Sequence, residues 1–226
     1  MTLNICVSIK PKNSQEVLTL IKKAEAVKAD FIEIRLDELG ENLELGDLSI
    51  STKIPLIATN KLSNENGSFA RTQTQHYKTM LHAAKNGFQY VDLDLSTPKL
   101  EKQITDLKKL GVKTIVSFHK FDGAFNSQEI RDILNKEIDS GADVCKIVGT
   151  AKQIQDNLTT LDFVSENAAK MRLVCFCMGE QGRISRLLSP VFGAFFTFAA
   201  LEQGRETAPG QISINDMRTA YSLLRQ

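Results

Sequence analysis

The chain has almost no net charge and no long apolar run. Its 226 residues include 28 Lys and Arg against 27 Asp and Glu, which gives a formal net charge of +1. Attraction to nucleic acid or to an anionic membrane needs an excess of positive charge, so no such bias is expected. The longest nearly apolar stretch, roughly 190–201, is too short to span a bilayer. We therefore expect no nucleic-acid partner and no membrane partner, and any anionic ligand must be bound locally.

Cysteine is scarce, and no two cysteines form a Cys-x-x-Cys pair. This pattern favours reduced, buried thiols over disulfides or a zinc site. Residues 1–10 read as a strand and not as a cleavable leader, so we expect a cytoplasmic protein. No linker or low-complexity tract interrupts the chain, which predicts a single domain over residues 1–226. The four cysteines are Cys6, Cys145, Cys175 and Cys177.

Short β-type runs alternate with amphipathic helical segments from end to end. This alternation is typical of a parallel sheet with crossover helices, and eight repeats favour a closed (β/α)8 TIM barrel over an open doubly wound sheet. The predicted strands are 4–9, 31–37, 55–60, 90–95, 113–119, 144–149, 173–178 and 194–199. The predicted helices are 14–28, 43–50, 72–86, 97–110, 127–140, 151–169, 183–189 and 213–225.

Charged side chains share one face of the second and fourth predicted strands. With a period of two, Glu33, Arg35 and Asp37 lie on the same face, and so do Asp92 and Asp94. Helices cover the outside of a barrel, so these groups should point inward, near the strand ends where barrel active sites are built. A structural ion network is the alternative, and it is the favoured one for Asp92 and Asp94.

Two ionisable residues stand alone in apolar strands. Lys146 lies within Val-Cys-Lys-Ile-Val-Gly at 144–149, and His119 ends Thr-Ile-Val-Ser-Phe-His at 114–119. One strand plus one helix separates them, which predicts that they lie at the same end of neighbouring strands. Burial lowers the pKa of an amine and makes it nucleophilic, and an imidazole moves protons near neutral pH. Together they predict Schiff-base chemistry, with a snorkelling lysine and a hydrogen-bonded core histidine as alternatives.

Polar loops follow the third, seventh and eighth predicted strands. The loop at 61–68 contains Glu65, a candidate proton-transfer partner. The segment 178–186 leads through glycines into a helix, where Arg186 offers a guanidinium fork to a carboxylate. The segment 207–211, Thr-Ala-Pro-Gly-Gln, has hydroxyl and amide groups suited to a polyol. Each segment could instead be an ordinary solvated loop or turn.

In this order and spacing, the segments closely resemble the type I 3-dehydroquinate dehydratases, which are Schiff-base lyases of the shikimate pathway. The resemblance runs over nearly the whole chain. It implies a (β/α)8 barrel, a homodimer, and syn dehydration of 3-dehydroquinate to 3-dehydroshikimate without a metal or organic cofactor. The motifs that carry it are Glu-Ile-Arg-Leu-Asp at 33–37, Ser-Phe-His at 117–119, Lys-Ile at 146–147, Gly-Arg-Ile-Ser-Arg-Leu at 182–187, Val-Phe-Gly at 191–193, Ala-Pro-Gly-Gln-Ile at 208–212 and Asn-Asp-Met-Arg at 215–218.

The resemblance also implies a role for each matching side chain. Lys146 matches the imine-forming lysine, His119 the general acid/base, and Glu65 the loop glutamate that assists the histidine. Arg186 matches the arginine that holds the substrate carboxylate. Lys61 stands where many members have arginine, so the bidentate fork is replaced by a point charge. The implied substrate-binding residues are Ser8, Glu33, Arg35, Lys61, Arg186, Thr207 and Gln211.

Three alternatives stay open. A class I aldolase or transaldolase would share the lysine, but the Ala-Pro-Gly-Gln and Arg-Ile-Ser-Arg segments argue against it. A catalytically silent barrel would keep the pocket for binding alone. A metal-dependent barrel would use Asp92, Asp94 and His119 and would be inactivated by a chelator. The other two histidines, His76 and His82, are expected at the surface of a helix.

Overall fold

The computed structural model describes residues 3–39, 48–61 and 72–224. Within these ranges, strands and helices alternate along the chain. The strands are β1 Ile5–Ile9, β2 Phe31–Arg35, β3 Leu56–Thr59, β4 Tyr90–Asp94, β5 Lys113–His119, β6 Val144–Thr150, β7 Leu173–Met178 and β8 Thr197–Ala200. The helices are α1 Ser14–Ala26, α2 Leu48–Ser51, α3 Gln73–Lys85, α4 Leu100–Lys109, α5 Ser127–Asp139, α6 Asp156–Asn167, α7 Arg183–Leu188 and α8 Ile214–Leu224.

All eight strands are parallel neighbours in one sheet, in the order β7-β6-β5-β4-β3-β2-β1-β8. The Phe195 N–H, just before β8, donates to the Leu173 carbonyl of β7 at 2.8 Å, so the two ends of the sheet meet. The predicted (β/α)8 barrel is therefore confirmed. The second predicted helix, 43–50, is described only from Leu48 onward.

The outer face of the sheet is an apolar layer under the helices. Ile32 and Ile34 of β2 are fully buried, and they belong to the same core as Ile21 of α1 and Met80 of α3. This is the packing expected for strands whose outer face alternates with a functional inner face. In the described chain, no helix is long and apolar enough to cross a membrane.

The barrel floor is an aromatic plug near the amino ends of the strands. The Phe31 ring lies 4.9 Å from Phe196 and 5.8 Å from Tyr90, measured between centroids, and Ile57 and Ile115 complete the layer. Close packing here excludes water from below. Every inward-facing side chain two residues further along these strands consequently lies above a dry floor.

Candidate active site

One layer above the plug, the barrel interior becomes polar. Because inward-facing positions recur every second residue, the residue two places after each floor residue points into the same space. That step leads from Phe31 to Glu33, from Tyr90 to Asp92, and it fills the layer with hydroxyl and charged groups. The buried members are Ser8, Glu33, Thr59, Asp92, Ser117 and Lys146.

Lys146 is a buried ammonium group with two carboxylate partners. Its side chain is 6% exposed, and Nζ donates to Asp92 Oδ2 at 2.7 Å and lies 3.5 Å from Glu33 Oε1. Nζ also lies 4.4 Å from the centroid of the Phe198 ring. Burial lowers the pKa of Lys146, but Asp92 and Glu33 outweigh it and raise the pKa above its ordinary value. The predicted lowered pKa is therefore wrong, because the pattern did not reveal the counter-ions.

Asp92 connects two amines through its two oxygens. Oδ2 accepts from Lys146, whereas Oδ1 accepts from Lys61 Nζ at 3.1 Å and from Ser117 Oγ at 2.6 Å. Burial raises the pKa of Asp92, but the two ammonium groups hold it well below its usual range. The ion network predicted for this residue is present, and it includes the candidate nucleophile.

Glu33 is the second counter-ion of Lys146. Its carboxylate accepts hydrogen bonds from Thr59 Oγ1 at 2.9 Å and from Ser8 Oγ. Each of these hydroxyls comes from a neighbouring strand, so the carboxylate is held in one orientation. Ser8 thus contacts Glu33 but does not itself line the cavity that Glu33 shares with Lys146 and Arg186.

His119 ends β5 beside the lysine strand, with Val148 as its register partner. Its ring stacks on Phe121, 6.1 Å between centroids and 13° between planes. Burial lowers the pKa of His119 well below its usual value, and the positive charges of Lys61 and Lys146 lower it further. The imidazole is consequently neutral at neutral pH and free to accept a proton.

The other two histidines differ from each other. His82 is exposed, as predicted, but His76 is buried, with Nε2 only 2.6 Å from the Asn60 carbonyl oxygen. The surface prediction for His76 is wrong, because α3 turns this residue toward the chain that follows β3.

Arg186 is a buried cation of a different kind. Its residue is 1% exposed, and its guanidinium carbon lies 4.3 Å from the centroid of the Phe176 ring. Nη2 donates to the Pro209 carbonyl at 3.3 Å, and within the described part of the chain Nε has no partner and no carboxylate pairs with the group. Burial lowers the pKa of Arg186 to about 9, so the group stays charged at neutral pH.

The loops after β7 and β8 meet beside Arg186. The Gly179 N–H donates to the Pro209 carbonyl at 3.2 Å, the same oxygen that accepts from the guanidinium. A Cβ on Gly210 would lie 2.1 Å from the Gly179 carbonyl oxygen, and both glycines have positive φ, 74° and 85°. Only glycine fits this crossing.

Three of the other predicted site residues have side-chain partners within the protein. Arg35 forms a two-point ion pair with Asp37, at 2.8 and 2.6 Å, and still lines the cavity. Thr207 and Gln211 bond each other, with the Gln211 Nε2 to Thr207 Oγ1 distance at 3.0 Å. Glu65 lies outside the described residues.

These groups line one cavity, whose empty space, its open mouth included, is about 460 Å³. Its wall has an apolar part on β7 and β8 that the sequence interpretation missed, Phe176, Met178 and Phe198. Alternation on β7 could have found Phe176 and Met178. The lining residues are Glu33, Arg35, Thr59, Lys61, His119, Lys146, Val148, Phe176, Met178, Arg186, Phe198, Thr207, Ala208 and Gln211.

The residues proposed for a metal-dependent barrel do not come together. Asp94 ends β4, and its carboxylate accepts from the Ser96 N–H and hydroxyl at 2.8 and 2.7 Å. Both oxygens of Asp92 are occupied by amines. Among the residues in the described ranges, no three His, Cys, Asp or Glu side chains form a group suited to a metal ion.

A model of the type I 3-dehydroquinase family matches residues 5–226. The chain belongs to this family. The predicted resemblance is thereby confirmed, and the family is one of enzymes.

The chain is also similar to curated 3-dehydroquinate dehydratases in sequence and to solved structures in fold. A 3-dehydroquinate dehydratase of Dehalococcoides mccartyi is 34% identical over 209 residues, which cover 91% of this chain and 92% of that protein. One from Methanococcus vannielii is 30% identical over 223 residues, covering 97% and 99%. The 3-dehydroquinate dehydratase of Geobacillus kaustophilus, 24% identical, shares the fold with a TM-score of 0.90 over 100% of this chain and 92% of its own.

Proposed function

We propose that this chain converts 3-dehydroquinate to 3-dehydroshikimate by a Schiff base on Lys146, in the shikimate route to chorismate and the aromatic amino acids. One observation carries the proposal: a primary amine, Lys146, lines the same cavity as Arg186, a buried guanidinium that pairs with no carboxylate among the described residues. The first suits a ketone and the second a carboxylate, and 3-dehydroquinate has both. The family relatives are named for this substrate.

Substrate binding would begin at Arg186. A carboxylate there would accept from the unpartnered Nε and from the η nitrogens, which removes the cost of a buried, unbalanced cation. Thr207 and Gln211 lie in the loop that borders the same space, and Glu33 and Arg35 are placed to contact ring hydroxyls. Orientation of the ring by the carboxylate would set the ketone carbon toward Lys146.

The chemistry then needs Lys146 as a free amine. A proton must leave its ammonium, and the neutral His119, which lines the same cavity, would accept it. Attack on the ketone gives a carbinolamine, whose hydroxyl leaves as water with the proton that His119 returns, so the imidazole is neutral again. The resulting iminium keeps the same partners, Asp92 and Glu33. His119 would take the proton from the carbon beside the iminium, and the enamine would expel the hydroxyl, which leaves as water with a proton from His119. Hydrolysis of the product imine frees Lys146.

Several further assignments belong to this proposal. Glu65 would assist His119, and Ser8 would act on the substrate side through its hydrogen bond to Glu33. The family resemblance implies substrate binding for Lys61 as well, but the bonds from its ammonium to Asp92 and Ser117 favour a different role. No metal or organic cofactor takes part in any step. We also expect a homodimer and a cytoplasmic location, which size-exclusion chromatography with light scattering and cell fractionation would check.

The decisive experiment is trapping with borohydride. The protein is incubated with 3-dehydroquinate and borohydride, and peptide mass spectrometry locates the added mass, with Lys146→Ala as the control. We expect an adduct on Lys146 and the absorbance of an unsaturated product. Full turnover without an adduct would defeat the Schiff base, and absence of both would defeat the substrate assignment. His119→Ala adds a second test, because a binding protein would keep its function after this change, whereas the dehydratase would lose turnover.

A further inference from the structure

Lys61 occupies an unusual position for a substrate-binding group. Its side chain is 9% exposed, and its ammonium already donates to Asp92 Oδ1 at 3.1 Å and to Ser117 Oγ at 2.9 Å. Ser117 in turn donates to the same Asp92 oxygen at 2.6 Å, so the three groups form a closed triangle. Two of the three ammonium donors of Lys61 are therefore used within the protein.

The triangle determines what is left of the Asp92 carboxylate. Because Oδ1 is held by Lys61 and Ser117, rotation of the carboxylate would break two buried hydrogen bonds. The other oxygen, Oδ2, consequently faces the Lys146 nitrogen at 2.7 Å. Arg186 offers the contrast, because its Nε has no partner in the described chain and is free for a ligand.

We propose that Lys61 is a positioning residue for Lys146 that acts through Asp92: with Ser117 it fixes one carboxylate oxygen, so that the other is always presented to the reacting nitrogen. The catalytic meaning of this assignment rests on the proposed function. Lys61 is thus assigned to the nucleophile and not to the substrate. The same carboxylate oxygen would serve the nitrogen as an ammonium and later as an iminium.

The charges around Lys146 give the assignment a measurable consequence. The titratable groups facing it are Cys6 from β1, Glu33 from β2, Lys61 after β3, Asp92 from β4 and His119 from β5. Two carboxylates and two ammonium groups balance. If Lys61 is removed, both carboxylates act on Lys146 alone, and the amine holds its proton more strongly. The loss of the Lys61 positive charge, which repels the Lys146 proton, also raises the pKa of Lys146.

The first test needs no substrate. Lys146 is methylated reductively with formaldehyde and cyanoborohydride across a pH series, and its labelling is read peptide by peptide in wild type, Lys61→Met, Lys61→Arg and Lys10→Met. We expect Lys61→Met to raise the midpoint for Lys146 by about one pH unit or more. Lys61→Arg should restore it, since a guanidinium keeps the charge and the donors. Lys10 pairs with Glu38 at 3.3 Å near the cavity mouth and does not bind Asp92. Lys10→Met therefore shows how far the loss of a positive charge alone shifts the Lys146 midpoint.

An unchanged Lys146 midpoint in Lys61→Met, or a shift matched by Lys10→Met, overturns the assignment. Steady-state kinetics supplies the second readout. A positioning residue predicts a kcat lowered by about 10- to 100-fold with KM nearly constant, whereas a raised KM with unchanged kcat would make Lys61 a substrate ligand and reject the proposal. Ser117→Ala removes the other bond to Oδ1 and should lower kcat in the same sense, which keeps the test open if Lys61→Met does not fold.

Failure of the two proposals would look different. Wild-type protein that turns over no 3-dehydroquinate defeats the proposed function, but the labelling series still decides whether Lys61 acts on Lys146. Normal turnover with an unshifted Lys146 midpoint defeats only the positioning role.

Discussion

Lys146 and Arg186 are both buried cations in one cavity, yet they are stabilised in opposite ways. Both lie over an aromatic ring, but Lys146 also has carboxylates at 2.7 and 3.5 Å, whereas Arg186 has a carbonyl oxygen at 3.3 Å. The consequence appears in the pKa values, which are raised for Lys146 and lowered to about 9 for Arg186. A balanced cation suits a group that must change its charge during a reaction. An unbalanced cation suits a group that waits for an anion.

Removing the balanced cation should have the largest effect. Lys146→Ala deletes the only group proposed to form the imine, so we expect kcat to fall by on the order of 10⁴-fold or more. Circular dichroism should show an intact fold, and calorimetry should show retained ligand binding, since Arg186 remains. An active Lys146→Ala enzyme would contradict the mechanism.

Removing the unbalanced cation should weaken binding and strengthen the fold. Arg186→Met removes the group proposed to bind the substrate carboxylate. We therefore expect kcat/KM to fall by about 10²-fold or more, with most of the effect as a higher KM. Because no carboxylate in the described ranges balances this buried cation, the same change should raise Tm. Steady-state kinetics and calorimetry check both effects.

Arg183→Met is the matched control in the same helix. Its guanidinium is 51% exposed and pairs with Glu180 at 3.0 Å, so we expect a change in unfolding free energy of less than about 1 kcal/mol. If Arg183→Met and Arg186→Met changed stability and kcat/KM equally, the missing counter-ion of Arg186 would not explain the effects of its removal.

Asp92→Asn should make Lys146 more like Arg186 by removing its nearer carboxylate, although Glu33 stays at 3.5 Å. We expect kcat to fall by about 10- to 100-fold and unfolding free energy to fall by about 3 kcal/mol at neutral pH, because two ammonium groups lose their shared counter-ion. The depressed pKa of Asp92 gives stability above the ordinary carboxyl pKa, and this stability is lost as pH falls below it. Denaturant titrations of both proteins should therefore converge in acid. A constant difference across pH would argue against an ionised Asp92.

Glu137 offers the smallest and subtlest test, because it is a buried acid that pairs with no cation in the part of the chain that the structure describes. It lies on α5 against Cys145 and the Lys146 backbone, and in the described chain neither carboxyl oxygen makes a hydrogen bond of good geometry. Burial raises the pKa of Glu137 well above its ordinary value, so folding is penalised as pH rises above that ordinary value. Glu137→Gln should raise Tm near pH 8, by about 2–4 °C per kcal/mol recovered, and change little near pH 4. A gain that is equal at both pH values would exclude ionisation as its cause.

Much of this site could be predicted from the sequence because it follows from local periodicity. Alternation in β2 and β6 placed Glu33 and Lys146 inside, and the order of strands placed His119 next to Lys146. The motif around Arg186 placed its guanidinium at the same mouth. Each of these inferences uses residues within one strand or between neighbouring elements.

What could not be predicted depends on closure of the barrel. The counter-ion of Lys146 is Asp92, which lies 54 residues away and two strands across, so no local pattern indicates that the two atoms meet at 2.7 Å. Period two also placed Asp94 inside, but a turn begins at the strand end and Ser96 takes its carboxylate. The direction of the Lys146 pKa was wrong for the same reason: burial is readable from sequence, but partners are not.

The crossing of the loops at Gly179 and Gly210 also limits how this enzyme can be engineered. A library that randomises the loop after β8 to admit other carboxylic acids would lose every member with a side chain at position 210, because the Cβ would enter the Gly179 carbonyl oxygen. Insertions next to Gly179, or next to Pro209 and Gly210, would displace the Pro209 carbonyl oxygen that accepts from Arg186. Diversity is best introduced at 203–206, before Thr207 and the crossing, where altered specificity need not cost the anion site.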